Sequence, residues 1–262
     1  MHRPVPDGGD GGARSGRRLL LLSNSRDAEG RFLVYARPAI EEALDGIRRA
    51  VFAPYAGVTV SLDAYAGRVR DFFAPLGIEV ESLHRASDPV SAVLGAEAIV
   101  VGGGNTFQLL RRLVELGLLD AMRRRARAGV PYVGWSAGSV VSCPTIRTTN
   151  DMPIVEPPSL AALGLVPFQI NAHYTDAHPP GHQGETRAER IAEFLELNRD
   201  VPVLGLREGS GLRVTGDTMR LVGAADARLF VHGRGPIDFG PGADLSFLLG
   251  RGGALSSGSA TP

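Results

Sequence analysis

The chain has 262 residues and a formal net charge of zero, with 28 basic residues against 28 acidic ones. That balance argues against a nucleic-acid or membrane-surface protein, because a phosphate-facing surface needs an excess of cations. Every basic residue is arginine; without lysine the chain has no Schiff-base nucleophile, no P-loop lysine and no Ser–Lys dyad. The lone cysteine, Cys143, rules out an intramolecular disulfide, and no segment reads as a signal peptide or a membrane span. A cytoplasmic protein is expected.

Residues 1–17 are rich in glycine, proline and charge and read as a disordered tail. Short apolar runs then alternate with amphipathic stretches. In chain order, the pattern predicts a strand over Leu19–Leu22, a helix over Ala36–Arg49, a strand over Ala50–Ala53 and a helix over Leu62–Ala74. Strands over Ile78–Leu83 and Ala98–Val101 follow, then helices over Thr106–Leu116 and Leu119–Ala128 and a strand over Tyr132–Gly134. A strand over Pro167–Asn171, a helix over Thr186–Leu197 and a strand over Val203–Leu206 complete the alternation. Continuous apolar strands between helices indicate a mostly parallel α/β sheet covered on both faces. After Leu206 the texture changes to a hairpin over Gly211–Val222, turning at Thr215-Gly216-Asp217, and further β structure over Arg228–Phe239. Residues 18–249 read as one domain and 250–262 as a second tail.

Ligands of such a sheet sit at the carboxyl ends of its strands. Gly134-Trp135-Ser136-Ala137-Gly138 follows the run Pro131-Tyr132-Val133 there and has the form of a nucleophile elbow. Small neighbours allow the strained turn, and the helix that follows offers N–H groups to an oxyanion. Gly102-Gly103-Gly104-Asn105-Thr106 stands in the same position after Ala98–Val101. It lacks the spacing of a dinucleotide loop, so a second oxyanion donor from this loop fits better than a phosphate cradle. Asn105 or Thr106 is placed to cap the next helix. His173, at the end of a predicted strand, is the general-base candidate for Ser136. Two carboxylates compete to orient it: Asp151 in a polar loop and Glu208 directly after Val203–Leu206. His178 and His182 share a loop but lack partners at metal-ligand spacing, so no metal is expected. Cys143 reads as a buried small apolar residue.

These motifs resemble the peptidase E family of α-aspartyl dipeptidases. The likeness runs in order through Leu19–Ser25, Gly102–Leu110, Gly134–Gly138, Cys143–Pro153 and Gly184–Arg187, over roughly residues 19–235. It implies a flavodoxin-like fold and metal- and cofactor-free cleavage of dipeptides with an N-terminal aspartate. Ser136 would be the nucleophile, His173 its base, and both Asp151 and Glu208 fall at positions tied to the triad. Ala137 with Gly103 or Gly104 would form the oxyanion hole. Arg187 falls where the family places a cation for the aspartyl side chain, and Asn105 joins it as a substrate-binding candidate. Ser139-Val140 departs from the Ala-Asn expected of close relatives. A cyanophycinase-like hydrolase of aspartate-containing polymer and a non-catalytic sensor of acidic ligands are the alternatives on this scaffold. Homo-oligomer formation is left open.

Overall fold

Five of the apolar runs pair side by side because each has two faces to bury. The computed structural model describes residues 16–177, 181 and 183–250. Residues 1–15 and 251–262, most of the two expected tails, and the loop histidines His178 and His182 lie outside the described residues. Arg17, grouped with the first tail in the sequence, is tied to the sheet: its carbonyl accepts from Gly216 N–H at 2.8 Å.

Strands β1 (Arg18–Leu22), β2 (Arg49–Ala53), β3 (Glu79–Ser82), β4 (Ala98–Val101) and β5 (Tyr132–Trp135) are parallel. β8 (Ser210–Thr215) pairs antiparallel with β1, and β9 (Thr218–Gly223) with β8, giving the order β3-β2-β4-β5-β1-β8-β9. Side chains alternate across this sheet as the pleat requires. Leu19, Leu21, Ile99 and Val101 face α3 (Pro89–Gly95), α4 (Thr106–Glu115) and α5 (Leu118–Arg127). Leu20, Leu22, Ala98 and Val100 face α1 (Arg37–Ala43) and α2 (Leu62–Phe73).

A second sheet carries β6 (Gln169–Tyr174), β7 (Val203–Arg207), β10 (Ala227–Phe230) and β11 (Ile237–Phe239) in the order β11-β10-β7-β6. β6 and β7 are parallel, and the other two strands are antiparallel to their neighbours. Ile170, Ala172, Leu204 and Leu206 join the core of the first sheet, whereas Val203, Tyr174 and Phe230 pack on α7 (Arg187–Leu197). The fold is α/β, mostly parallel, with helices on both faces and a C-terminal β region.

Two local expectations differ from the structure. The helix predicted over Ala36–Arg49 stops at Ala43, because Gly46 turns the chain at a φ of +77° and Arg49 already pairs with Glu79. Helix α3 has too few residues to show a period; its signal was Asp88-Pro89, a side-chain N-cap followed by proline in the first turn. No helix among the described residues is long and apolar enough to cross a membrane.

Candidate active site

Ser136 sits between β5 and the short helix α6 (Ala137–Val140) with a φ of 52° and a ψ of −116°. A non-glycine residue in that region is held by its surroundings at a cost of about 1–3 kcal/mol. The restraints are visible: Ser136 N–H donates to the Leu22 carbonyl at 3.0 Å, and the Ser136 carbonyl accepts from Ser139 and Val140. The flanking glycines are steric necessities. A Cβ on Gly134 would lie 2.5 Å from the Gly138 carbonyl oxygen, and one on Gly138 would lie 2.2 Å from that of Val101. Gly138→Ala is therefore expected to destabilise the fold by about 1–3 kcal/mol, seen as a lower Tm in thermal melts, and to lower activity with it. Ser139, the departure noted in the sequence, is fully buried and donates through Oγ to the Leu22 and Gly134 carbonyls, pinning the elbow to β1.

The loop after β4 packs directly on the elbow. A Cβ on Gly103 would lie 2.9 Å from Ser136 Cβ, so only glycine brings this backbone so close. Trp135 Nε1–H donates to the Tyr65 hydroxyl at 2.9 Å, which donates to the Gly103 carbonyl at 3.1 Å. Burial pushes the Tyr65 hydroxyl up to about 12, so it remains a donor. The N–H groups of Ala137, Gly103 and Gly104 make no hydrogen bond to the described residues.

His173 reaches Ser136 from the second sheet. The register of β6 against β7 slips between Asn171 and Tyr174, and His173 adopts a φ of 54° in that irregularity, a region histidine tolerates better than most residues. Its Nε2 lies 2.9 Å from Ser136 Oγ, and its Nδ1 lies 2.7 Å from Glu208 Oε1. Ser23, at the end of β1, accepts from His173 N–H at 3.0 Å and donates to the Leu206 carbonyl at 2.8 Å. Asn24 Oδ1 accepts from Gly209 N–H, beside Glu208, at 2.9 Å. One dipeptide of the first sheet thus holds both the histidine and the glutamate. In the sequence its only trace is the polar pair Ser23-Asn24 directly after the apolar run Leu19–Leu22.

Asp151 does not meet the imidazole. Its Oδ2 accepts from the backbone N–H of Thr106 at 2.7 Å and from the hydroxyls of Thr106 and Thr149. This is a cap on the first turn of α4, where a carboxylate also complements the helix dipole. Asn105 is committed beside it: Oδ1 accepts from Gln108 N–H, and Nδ2 donates to the Met152 carbonyl at 2.8 Å. Cys143 is fully buried, and burial pushes its thiol up to about 12, which suits a packing role.

A cavity of about 810 Å³ opens beside the histidine, lined by His173–Ala177, Arg187, Arg207 and Glu208. Arg187 begins α7 and makes no ion pair with the described residues. Burial pulls its guanidinium below the usual value, with Arg190 acting in the same sense and Asp151 against it. A half-buried guanidinium facing a cavity is a fork waiting for a carboxylate.

Comparison with known proteins agrees with this architecture. Residues 19–222 match the profile of peptidase family S51. The chain is 50% identical to Peptidase E of Streptomyces coelicolor over 242 residues, 92% of this chain and 98% of that protein. It is 46% identical to Peptidase E of a Nostoc species, over 90% of this chain and 98% of the relative. The crystal structure of a peptidase from an acI-B1 actinobacterium superposes with a TM-score of 0.66 at 17% identity, covering 89% and 98% of the two chains, and shares the fold. The match over most of its length and the identity to these relatives show that the chain belongs to peptidase family S51, as a serine peptidase of the peptidase E group.

Proposed function

We propose that this peptidase hydrolyses dipeptides with an N-terminal aspartate through an acyl-enzyme on Ser136. The carrying observation is the unbroken relay from Ser136 Oγ through His173 to Glu208, beside a cleft lined by Arg187, which has no ion-pair partner among the described residues. Ser136 Oγ attacks the carbonyl carbon of the first residue as its proton passes to His173 Nε2. Glu208 accepts from Nδ1–H, fixing the tautomer and stabilising the imidazolium. The N–H groups of Ala137 and of Gly103 or Gly104 stabilise the oxyanion; such a donor is typically worth about 10²–10³ in rate. His173 protonates the leaving amine, then draws a proton from the water that releases aspartate from the ester.

Arg187 pairs with the aspartyl carboxylate in this reading. Asp151 and Asn105 act one step away, holding the start of α4 and with it the Gly103–Gly104 loop. Arg187→Ala is expected to reduce the preference for Asp-Leu over Ala-Leu by about 10²-fold, the order of one charge-assisted bidentate contact. Acylation of Ser136 by a small uncharged reagent should persist. Unchanged selectivity in steady-state assays of the two dipeptides would remove Arg187 from this role.

A further inference from the structure

Arg207 lines the same cleft as Arg187, and a second free fork there would be a liability. It is not free. Arg207 Nη2 lies 2.6 Å from Asp176 Oδ2 and 3.1 Å from Asp238 Oδ1. Arg228 closes the figure from the far side, 2.6 Å from Asp176 Oδ1 and 2.5 Å from Asp238 Oδ2. Two cations and two anions, from the end of β6, β7, β10 and β11, form a neutral square. The Tyr174 hydroxyl adds a hydrogen bond to Asp176 at 2.8 Å, and the Arg207 guanidinium lies 5.5 Å from the Tyr174 ring centre. Hydrogen bonds from Arg228 hold the Asp238 carboxyl below its usual range. Of the cleft's other charged groups among the described residues, Glu208 is paired with His173.

We propose that the square Asp176–Arg207–Arg228–Asp238 is a specificity-determining element that cancels the charge of Arg207, leaving Arg187 as the one uncompensated cation of the cleft among the described residues. This rests on the Asp-X reading above. An Asp-X dipeptide carries two carboxylates, on the aspartyl side chain and at the C-terminus. With two open forks in one cleft it could dock reversed, its C-terminal carboxylate on one fork and its scissile carbonyl away from Ser136. With one fork and a neutral wall, a single register is favoured. Arg228 and Asp238 do not line the cleft; their part is to complete the neutralisation.

Asp238→Asn leaves the square with a net positive charge. Non-productive binding lowers kcat and KM by the same factor, so both should fall about five- to tenfold for Asp-Leu, with kcat/KM nearly constant. The fall should shrink at high salt and also with the Asp-Leu amide, which keeps only the side-chain carboxylate. Arg228→Met combined with Asp238→Asn restores neutrality while breaking more of the structure, and should restore both constants. A kcat loss with unchanged or raised KM, or a double variant worse than the single one, would overturn the proposal in favour of a purely structural square. Asp176→Asn, which adds the same charge at another corner, replaces Asp238→Asn if that variant does not fold. Binding of succinate to each protein, by calorimetry, separates this proposal from the Asp-X reading. Five- to tenfold tighter binding in Asp238→Asn, reversed in the double variant, supports the square even if wild-type protein leaves Asp-Leu intact, and equal affinity in all three refutes it.

Discussion

Ser136→Ala is expected to lower turnover of Asp-Leu by about 10⁶-fold, the scale seen when the nucleophile of a serine relay is removed. The fold should not change. The elbow is held by Ser136 N–H on the Leu22 carbonyl and by the Ser136 carbonyl, neither of which involves the hydroxyl. Alanine meets the same strain at a φ of 52° as serine does. Circular dichroism and thermal melting should therefore match the wild type while hydrolysis disappears. Cys143 cannot take over, since it is fully buried with a thiol pushed up to about 12. Retention of a tenth of the activity would mean that water attacks directly and that the relay has another purpose.

The second large effect separates two carboxylates. Glu208→Gln should lower kcat by about 10²–10⁴, because an amide can no longer hold the imidazole in the tautomer that accepts the serine proton. The lower end is expected, since the Glu208 side chain is 64% exposed and water partly replaces it. Asp151→Asn should act differently. It weakens the cap on α4 by about 1 kcal/mol, seen as a small fall in Tm, and disturbs kcat only through the Gly103–Gly104 loop, by about tenfold or less. Steady-state kinetics on both variants decides between them. A larger kcat loss in Asp151→Asn than in Glu208→Gln would return Asp151 to the relay and leave the observed 2.7 Å contact of Glu208 without a catalytic part.

The main sheet was legible because its strands are buried on both faces and read as unbroken apolar runs, as in Leu19–Leu22 and Ala98–Val101. The elbow was legible because its sterics demand glycine at 134 and 138. What the linear pattern hid is the division between two sheets. Pro167–Asn171 and Val203–Leu206 look like further strands of the first sheet, yet they build the second with β10 and β11, so His173 approaches Ser136 from a different layer. The choice between Asp151 and Glu208 could not be settled from the chain either: the strand-end position of Glu208 favours it, but Asp151 also follows the nucleophile, and only tertiary placement tells them apart. The charged square was invisible for a related reason. Asp176, Arg207 and the cross-strand pair Arg228–Asp238 come from separate segments with no shared spacing, and ion pairs between such segments leave no periodic trace. His178 and His182 lie outside the described residues.

Hydrolysis of Asp-Leu, Ala-Leu, Glu-Leu and Asn-Leu by wild-type protein, with Ser136→Ala as control, tests the proposed activity most directly. Turnover of Asp-Leu at least about 10²-fold above each of the others, and lost in the variant, is the predicted result. Equal turnover of Ala-Leu and Asp-Leu, or Asp-Leu cleavage that survives Ser136→Ala, would contradict it.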